Sequence, residues 1–295
     1  MKIILFGLVV LCSMGSNIFK NIFAKGKECT DGDNCVYNIV ACAVGAPLSV
    51  IGHGISAVSD FTVLMAFCFG TSMAFVAIFA IKALRNGPMA LTALFASFSM
   101  VIPILFGFFF WQEPVTFAKV FGIVIMFLAV YLIIGPGKGE AAEGIKKASG
   151  MWPLYAGIYG LATGLMSLFQ QIQTKVIPAE NSMFLVLGFT FASLVLCIYL
   201  PICMRKKESA VTKKFFCAEN LNGLIVGIFG GAAHITIVAL LVRMDSTVFY
   251  PLKAGICIIC DMLVGYFLFH EKVSRRKLLG FVIGAVSIVF LTIVK

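Results

Sequence analysis

Apolar residues run along this chain in ten long stretches that short polar connections separate. A helix needs about 20 residues to cross about 30 Å of hydrocarbon, and most of the stretches are close to that length. The pattern therefore predicts an all-α integral membrane protein with ten transmembrane helices. We place them at about 3–19, 36–57, 61–81, 88–110, 115–135, 151–174, 182–203, 221–242, 247–269 and 278–294.

Composition supports the same class. The chain is 61% hydrophobic and 12% charged, and its mean hydropathy is +1.04. A single soluble core could not bury so much apolar surface, so the bilayer is the expected solvent and membrane lipid an expected partner.

One sequence pattern occurs twice. Residues 85–135 match residues 243–293 without a gap, and a second match relates the first apolar run to the helix that begins near residue 151. The first run is thus expected to be a helix of a repeat and not a cleaved signal peptide. The matches pair Gly7 with Gly157, Lys25 with Lys175, Arg85 with Arg243, Gly107 with Gly265, Glu113 with Glu271 and Gly122 with Gly280.

The duplication predicts two five-helix repeats, at 1–135 and 151–295, joined by a linker at 136–150. Because five is odd, the second repeat must begin on the opposite side of the membrane, so the repeats are inverted. Inverted repeats are the usual architecture of secondary transporters, in which a site near the bilayer midplane opens alternately to each side as the repeats rock.

Basic residues predict the orientation. Most of the 23 lysines and arginines fall in or beside the odd-numbered connections. The positive-inside rule therefore places those connections in the cytoplasm and both termini outside. The net charge of +10 is then explained by loops that face anionic lipid, and no nucleic-acid partner is expected.

Three short motifs resemble the EamA-type members of the drug/metabolite transporter superfamily. They are Met-Gly-Ser-Asn at 14–17 and the two corners at 111–114 and 269–272, which read Trp-Gln-Glu-Pro and Phe-His-Glu-Lys before a glycine-bearing helix. The resemblance covers nearly the whole chain and implies a permease in a bacterial inner (cytoplasmic) membrane. Its relatives carry amino acids, drugs, sugars or nucleotide-linked metabolites. The resemblance also implies that both termini are cytoplasmic, which is opposite to the orientation that the charge pattern predicts. The Arg that members of this family commonly have early in the second helix is missing from residues 38–47.

Charged and titratable residues within the predicted helices are the first candidates for function. An ionised Asp261 in the ninth helix would cost roughly 3 kcal/mol or more at the bilayer centre, which favours a proton-coupling role or a neutral, hydrogen-bonded acid. Lys253, on the same helix, either lines the substrate path or snorkels to the interface. His234 follows the helix-packing glycines Gly223, Gly227 and Gly231, and it either couples protons or serves as a hydrogen-bonding packing residue.

Uncharged polar residues form the second set of candidates. Asn17 and Ser167 occupy equivalent repeat positions, and Gln170 follows on the sixth helix. They are expected to line the substrate path or to hold helices together by hydrogen bonds. Glu113, followed by Pro114, is expected to cap the fifth helix and anchor it at the interface, with Glu271 as its twin; the alternative is a gating role.

No pattern of catalytic residues is present. The chain has three histidines and neither an H-E-x-x-H motif nor a Walker-type glycine loop, so we expect no enzyme activity, cofactor or metal. The sequence predicts a secondary active transporter of small metabolites or drugs, working as a proton-coupled exporter. An uncoupled facilitator, an integral membrane enzyme and a non-transporting scaffold are the alternatives, and the chain could act as a monomer or a homodimer.

Overall fold

The computed structural model describes residues 2–25, 30–50, 57–86, 98–114, 116–134, 150–205, 219–269 and 275–293. Within these residues the chain is all-α, as predicted, and forms ten α-helices and one 3-10 turn at Pro178–Glu180. The helices are α1 (Lys2–Lys25), α2 (Asp31–Leu48), α3 (Asp60–Asn86), α4 (Val101–Phe110), α5 (Phe117–Ile134), α6 (Trp152–Val176), α7 (Asn181–Met204), α8 (Glu219–Leu241), α9 (Ser246–Phe269) and α10 (Arg275–Ile293).

Helix α2 begins five residues before its predicted start, because polar side chains cap its first turn. The backbone N–H of Asp33 donates to Thr30 Oγ1 at 3.0 Å. The backbone N–H of Thr30 donates to Asp33 Oδ2 at 3.1 Å. This reciprocal pair is a capping box, which satisfies two N–H groups that have no partner within the helix.

Four helices among the described residues are long and apolar enough to cross a membrane by themselves. They are Lys2–Lys20, Asp60–Ala83, Pro178–Met204 and Leu221–Leu241. Helices α2 and α6 are not in this group, and both carry acidic or amide residues that the fold buries. A helix with a polar face can cross the bilayer only if other helices cover that face.

The chain divides into two compact units. Unit 1 comprises Met1–Ile81 and Leu165–Arg243. In it α1 packs against α8, and α2 packs against both α7 and α8. A cluster around Phe69, Phe184 and Phe189 forms one of its hydrophobic cores.

Glycines allow α8 to approach α2 closely in unit 1. A Cβ atom on Gly227 would lie 2.6 Å from the carbonyl oxygen of Ala41, and one on Gly231 would lie 3.1 Å from Gly45 Cα. The prediction that this glycine row lets another helix approach is therefore confirmed.

Unit 2 comprises Lys82–Gly164 and Met244–Lys295. Helix α5 packs against α10, while α9 packs against α4, α5 and α10. The Ser287 hydroxyl donates to the Gly122 carbonyl at 2.6 Å, and the Arg276 guanidinium donates to the Tyr131 carbonyl at 3.1 Å. The start of α10 thus meets the end of α5, so the two helices run antiparallel.

Helices α2 and α7 also run antiparallel, within unit 1. Cys35, near the start of α2, shares a core cluster with Cys203, near the end of α7. Further along α2, a Cβ on Gly45 would lie 3.1 Å from the Phe189 ring in the first half of α7. Both antiparallel pairs, α2 with α7 and α5 with α10, join helices at equivalent positions of the predicted repeats.

Candidate functional site

Helix α6 buries a polar face within unit 1. Gln170, Gln171, Gln173 and Thr174 are each at most 3% exposed. Buried amides are costly unless they form hydrogen bonds. Gln173 Nε2 donates to Thr62 Oγ1 on α3 at 2.9 Å, and Gln170 Nε2 donates to the backbone carbonyl of His234 on α8 at 3.3 Å. Amides thus hold three helices of this unit at fixed positions.

The His234 imidazole lies between two aromatic rings of the unit 1 core. The Phe69 ring centroid is 5.5 Å away and the Phe189 centroid is 5.7 Å away, both in edge-to-face geometry. His234 itself is half-buried. The structure therefore brings together His234 and Gln170, which the sequence had singled out on separate grounds.

Asn17 and Ser167 also lie in unit 1 and are half-buried, on α1 and α6 respectively. The neighbouring Ser16 is 5% exposed, and its hydroxyl lies 4.0 Å from the Cβ position of Gly230 on α8. The polar stretch of α1 therefore borders the helix that carries His234. Asn17, Ser167, Gln170 and His234 all belong to one compact unit.

The two charged candidates belong to the other unit. Lys253 is half-buried on α9, two residues after the helix-internal Pro251. Asp261 lies further along the backbone of α9, and its side chain is outside the described part of the structure. Whether Asp261 meets a partner or a cavity therefore stays a prediction.

Glu113 caps a helix, but not the one that the sequence indicated. Its carboxylate accepts hydrogen bonds from Ser246 N–H at 3.0 Å, Ser246 Oγ–H at 2.6 Å and Thr247 N–H at 2.9 Å. These groups form the first turn of α9, so Glu113 is a structural cap, as predicted, but these hydrogen bonds go to α9, whereas the sequence indicated α5. Only tertiary packing places the start of α9 beside this corner. Glu271, its predicted twin, lies outside the described residues.

An ion pair between a buried lysine and a partly exposed aspartate, near the same corner, was missed by sequence reasoning. The Lys119 ammonium lies 3.0 Å from Asp245 Oδ2 and donates to the Pro114 carbonyl at 3.2 Å. Lys119 is 3% exposed. A lysine in the first turn of an otherwise apolar helix was a usable signal, because such a cation needs a partner once it is buried.

Together these features define the class of protein. The described part of the chain has ten helices, four of which could cross a membrane unaided, and it buries polar side chains that lipid could not solvate, which is typical of a polytopic membrane transporter. The chain belongs to solute carrier family 35, whose SLC35F model matches residues 61–293. A transporter of the drug/metabolite type is thereby confirmed at the level of the family, and a membrane solute carrier is favoured over an enzyme.

Two individual proteins are also similar. A protein of Haemophilus influenzae, described as uncharacterized, is 25% identical over 198 residues, covering 65% of this chain and 62% of that protein. The match therefore spans less than two thirds of the relative. One solved crystal structure has a TM-score of 0.70 at 15% identity and covers 100% of this chain and 98% of its own. This last likeness shows the fold alone.

Proposed function

We propose that the protein is a secondary active transporter that exports small metabolites or drugs in exchange for protons. Its site near the bilayer midplane opens alternately to each side of the membrane. Within the solute carrier family, this is the narrower hypothesis of an EamA-type permease in a bacterial cytoplasmic membrane.

The antiparallel pairing of repeat-related helices carries the proposal. Helices α2 and α7 run in opposite directions in one unit, and so do α5 and α10 in the other. Repeats of opposite topology place their equivalent helices antiparallel, whereas repeats of the same topology would place them parallel. The pairs thus support two inverted repeats, at 1–135 and 151–295, with 136–150 as the linker.

In this proposal the candidate residues have two kinds of role. His234 and Asp261 take up and release the coupled proton, while Asn17, Ser167, Gln170 and Lys253 line the substrate path. The hydrogen bond from Gln170 to the His234 carbonyl supports a link between the roles, because a substrate that contacts Gln170 can shift α8 and the imidazole with it. An imidazole can bind a proton and release it again, which such coupling requires.

Flux measurements on reconstituted protein test the proposal. A thermal-shift screen of the purified chain against a metabolite library first supplies a stabilising compound. Proteoliposomes with a pH gradient should then accumulate that compound, and Asp261→Asn should abolish accumulation because the proton carrier is lost. Asp60→Asn is the matched control, since Asp60 is exposed at the first residue of α3. It should transport like the unmodified protein.

Other outcomes select the alternatives. Flux without accumulation against a gradient would indicate an uncoupled facilitator, and full proton-coupled activity in Asp261→Asn would refute the role of that residue. Turnover of a lipid headgroup in detergent would indicate an integral membrane enzyme. A scaffold predicts no flux, and no stabilising compound whose effect depends on Asn17, Ser167, Gln170 or Lys253.

A further inference from the structure

A cavity of about 350 Å³ lies in unit 1, where the end of α2, the start of α7 and the end of α8 come together. Its volume is within the range of about 300–1,000 Å³ that ligand sites occupy. None of the residues proposed above to bind substrate or protons lines it. The chemistry of the cavity therefore involves none of those residues and does not depend on the proposed function.

The cavity wall has a polar part and an apolar part. Ser49, Asn181, Ser182 and Arg243 stand at the helix ends, whereas Leu185 and Val238 lie further along α7 and α8. A ligand with a charged end and an apolar end would match both parts. Phospholipids have this build, and the ends of membrane helices lie at the depth of their headgroups.

The polar part has the chemistry of a phosphate site. Arg243 supplies a guanidinium, which binds phosphate oxygens in a bidentate manner. The first turn of α7, a helix of 24 residues, contributes the positive end of a helix dipole. The Glu180 side chain does not cap α7. Instead its carboxylate accepts from Ser59 N–H at 3.0 Å and Ser59 Oγ–H at 2.8 Å, at the start of α3.

Asn181 gives independent evidence for a ligand. The residue is 9% exposed, and its side-chain oxygen is buried with no hydrogen-bond partner among the described residues. A buried acceptor in that state is costly unless a donor reaches it. Because Asn181 lines the cavity, a ligand hydroxyl there would supply the donor.

We infer that this cavity binds a phosphate ester that carries a hydroxyl group, with the phosphate on Arg243 and the first turn of α7 and the hydroxyl on Asn181. The headgroup of phosphatidylglycerol has both groups in one molecule. Soluble glycerol 3-phosphate has the same chemistry without the acyl chains. Phosphatidylcholine has the phosphate but no hydroxyl donor, and its headgroup has no net charge.

Ligand titrations followed by thermal unfolding of the purified full-length protein test the site. Dioctanoyl phosphatidylglycerol should raise the unfolding temperature, and dioctanoyl phosphatidylcholine should not. Arg243→Gln should weaken the apparent affinity about tenfold, and Asn181→Leu about fivefold. Arg205→Gln is the matched control, because it removes the same charge from the exposed opposite end of α7, and it should bind like the unmodified protein.

The variants also separate binding from misfolding. Asn181→Leu should not lower the unfolding temperature without ligand, since it removes an acceptor that lacks a partner. If glycerol 3-phosphate gives the same shift with the same dependence on Arg243 and Asn181, the site stands and its ligand comes from water and not from lipid. Equal stabilisation by phosphatidylcholine, or affinities in Arg243→Gln and Asn181→Leu that equal the control, would overturn the assignment.

Discussion

Single residues at the corner of Glu113 show how local geometry joins distant parts of unit 2. Gln112 has a backbone φ of 48°, the left-handed conformation that ends many helices and that few non-glycine residues adopt. This turn directs Glu113 back toward α4, whose Gly107 carbonyl accepts from the Glu113 N–H at 3.2 Å. The Glu113 carboxylate then reaches the first turn of α9. The corner therefore works as a cap because backbone and side chain are both fixed.

Gly107 should tolerate no side chain, because the side chains of Glu113 and Ser246 occupy the space beside its Cα atom. A Cβ there would lie 2.6 Å from Ser246 Oγ and 2.9 Å from Glu113 Oε2. We expect Gly107→Ala to destabilise the protein by about 1–3 kcal/mol through overpacking. Thermal unfolding in detergent measures the change.

Gly157→Ala is the control for Gly107→Ala. A Cβ on Gly157, in the first half of helix α6, which belongs to unit 2, would have no neighbour within 4 Å. Alanine should stabilise the helix there by about 0.5–1 kcal/mol, because it loses less backbone entropy on folding. Equal effects of the two substitutions would contradict the steric argument.

The charge of Glu113 should matter in addition to its shape. In Glu113→Gln one oxygen becomes an amide nitrogen that cannot accept from the N–H groups of α9, so we expect a loss of about 1–3 kcal/mol. Glu180→Gln is the same change at a less buried cap, that of α3 by way of Ser59. Water should replace much of the hydrogen bonding that Glu180→Gln removes, because this carboxylate is less buried than that of Glu113. A greater drop in unfolding temperature for Glu180→Gln would refute this ranking.

At the scale of helices, small residues decide which neighbours approach. Lipid offers no hydrophobic drive for helices to associate, so close packing and buried hydrogen bonds must hold them together. In unit 1 the glycine row of α8 meets α2, and in unit 2 Ser287 of α10 bonds to the backbone of α5. Each pairing thus depends on a few small or polar residues within long apolar segments.

The glycine row of α8 allows a test on one helix. Gly227→Ala would place a Cβ 2.6 Å from the Ala41 carbonyl and 2.8 Å from Val44 Cβ, whereas a Cβ on Gly230 would meet only Ser16 Oγ, at 4.0 Å. We expect Gly227→Ala to cost about 1–3 kcal/mol by forcing α2 and α8 apart. Gly230→Ala should be neutral or stabilising. A comparison of unfolding temperatures in one detergent measures the difference, and a similar loss for both would mean that the helices do not approach as described.

For the whole molecule, topology is the property on which the proposed mechanism depends. Each compact unit contains helices from both predicted repeats, since unit 1 holds α1, α2, α7 and α8 and unit 2 holds α4, α5, α9 and α10. The units that contacts define therefore do not coincide with the predicted repeats. The repeat boundaries at 1–135 and 151–295 stay a prediction that topology can test.

Labelling of introduced cysteines by a membrane-impermeant reagent in intact cells tests the inversion. In a background without reactive native cysteines, Gln112→Cys and Ala179→Cys, both exposed, should label from the same side. Gln112 follows α4 and Ala179 follows α6. In a chain of ten transmembrane helices, the connections after two even-numbered helices lie on the same side of the membrane. Lys272→Cys follows α9 and should label from the opposite side. Labelling of Gln112→Cys and Lys272→Cys from one face would end the inverted-repeat proposal, and the labelled side itself decides whether the positive-inside orientation holds.

The sequence by itself predicted the all-α membrane class and ten helices, which agrees with the residues that the structure describes, and it also predicted the duplication. The length of each apolar segment can be measured along the sequence, and the thickness of the bilayer fixes how long an apolar helix must be. A repeated sequence pattern can likewise be found by comparing the chain with itself. For the same reason the glycine row of α8 could be interpreted as a packing surface before any partner was known.

Only the tertiary structure decided which helix each polar residue serves. Glu113 caps α9 and not the helix that follows it, Lys119 pairs with Asp245, and Gln170 reaches the carbonyl of His234. These partners are distant in sequence, and a hydrogen bond acts over about 3 Å, so no local pattern can name them. Which residues become partners depends on how the helices pack. That packing is determined by all the contacts together and is not encoded by any single motif.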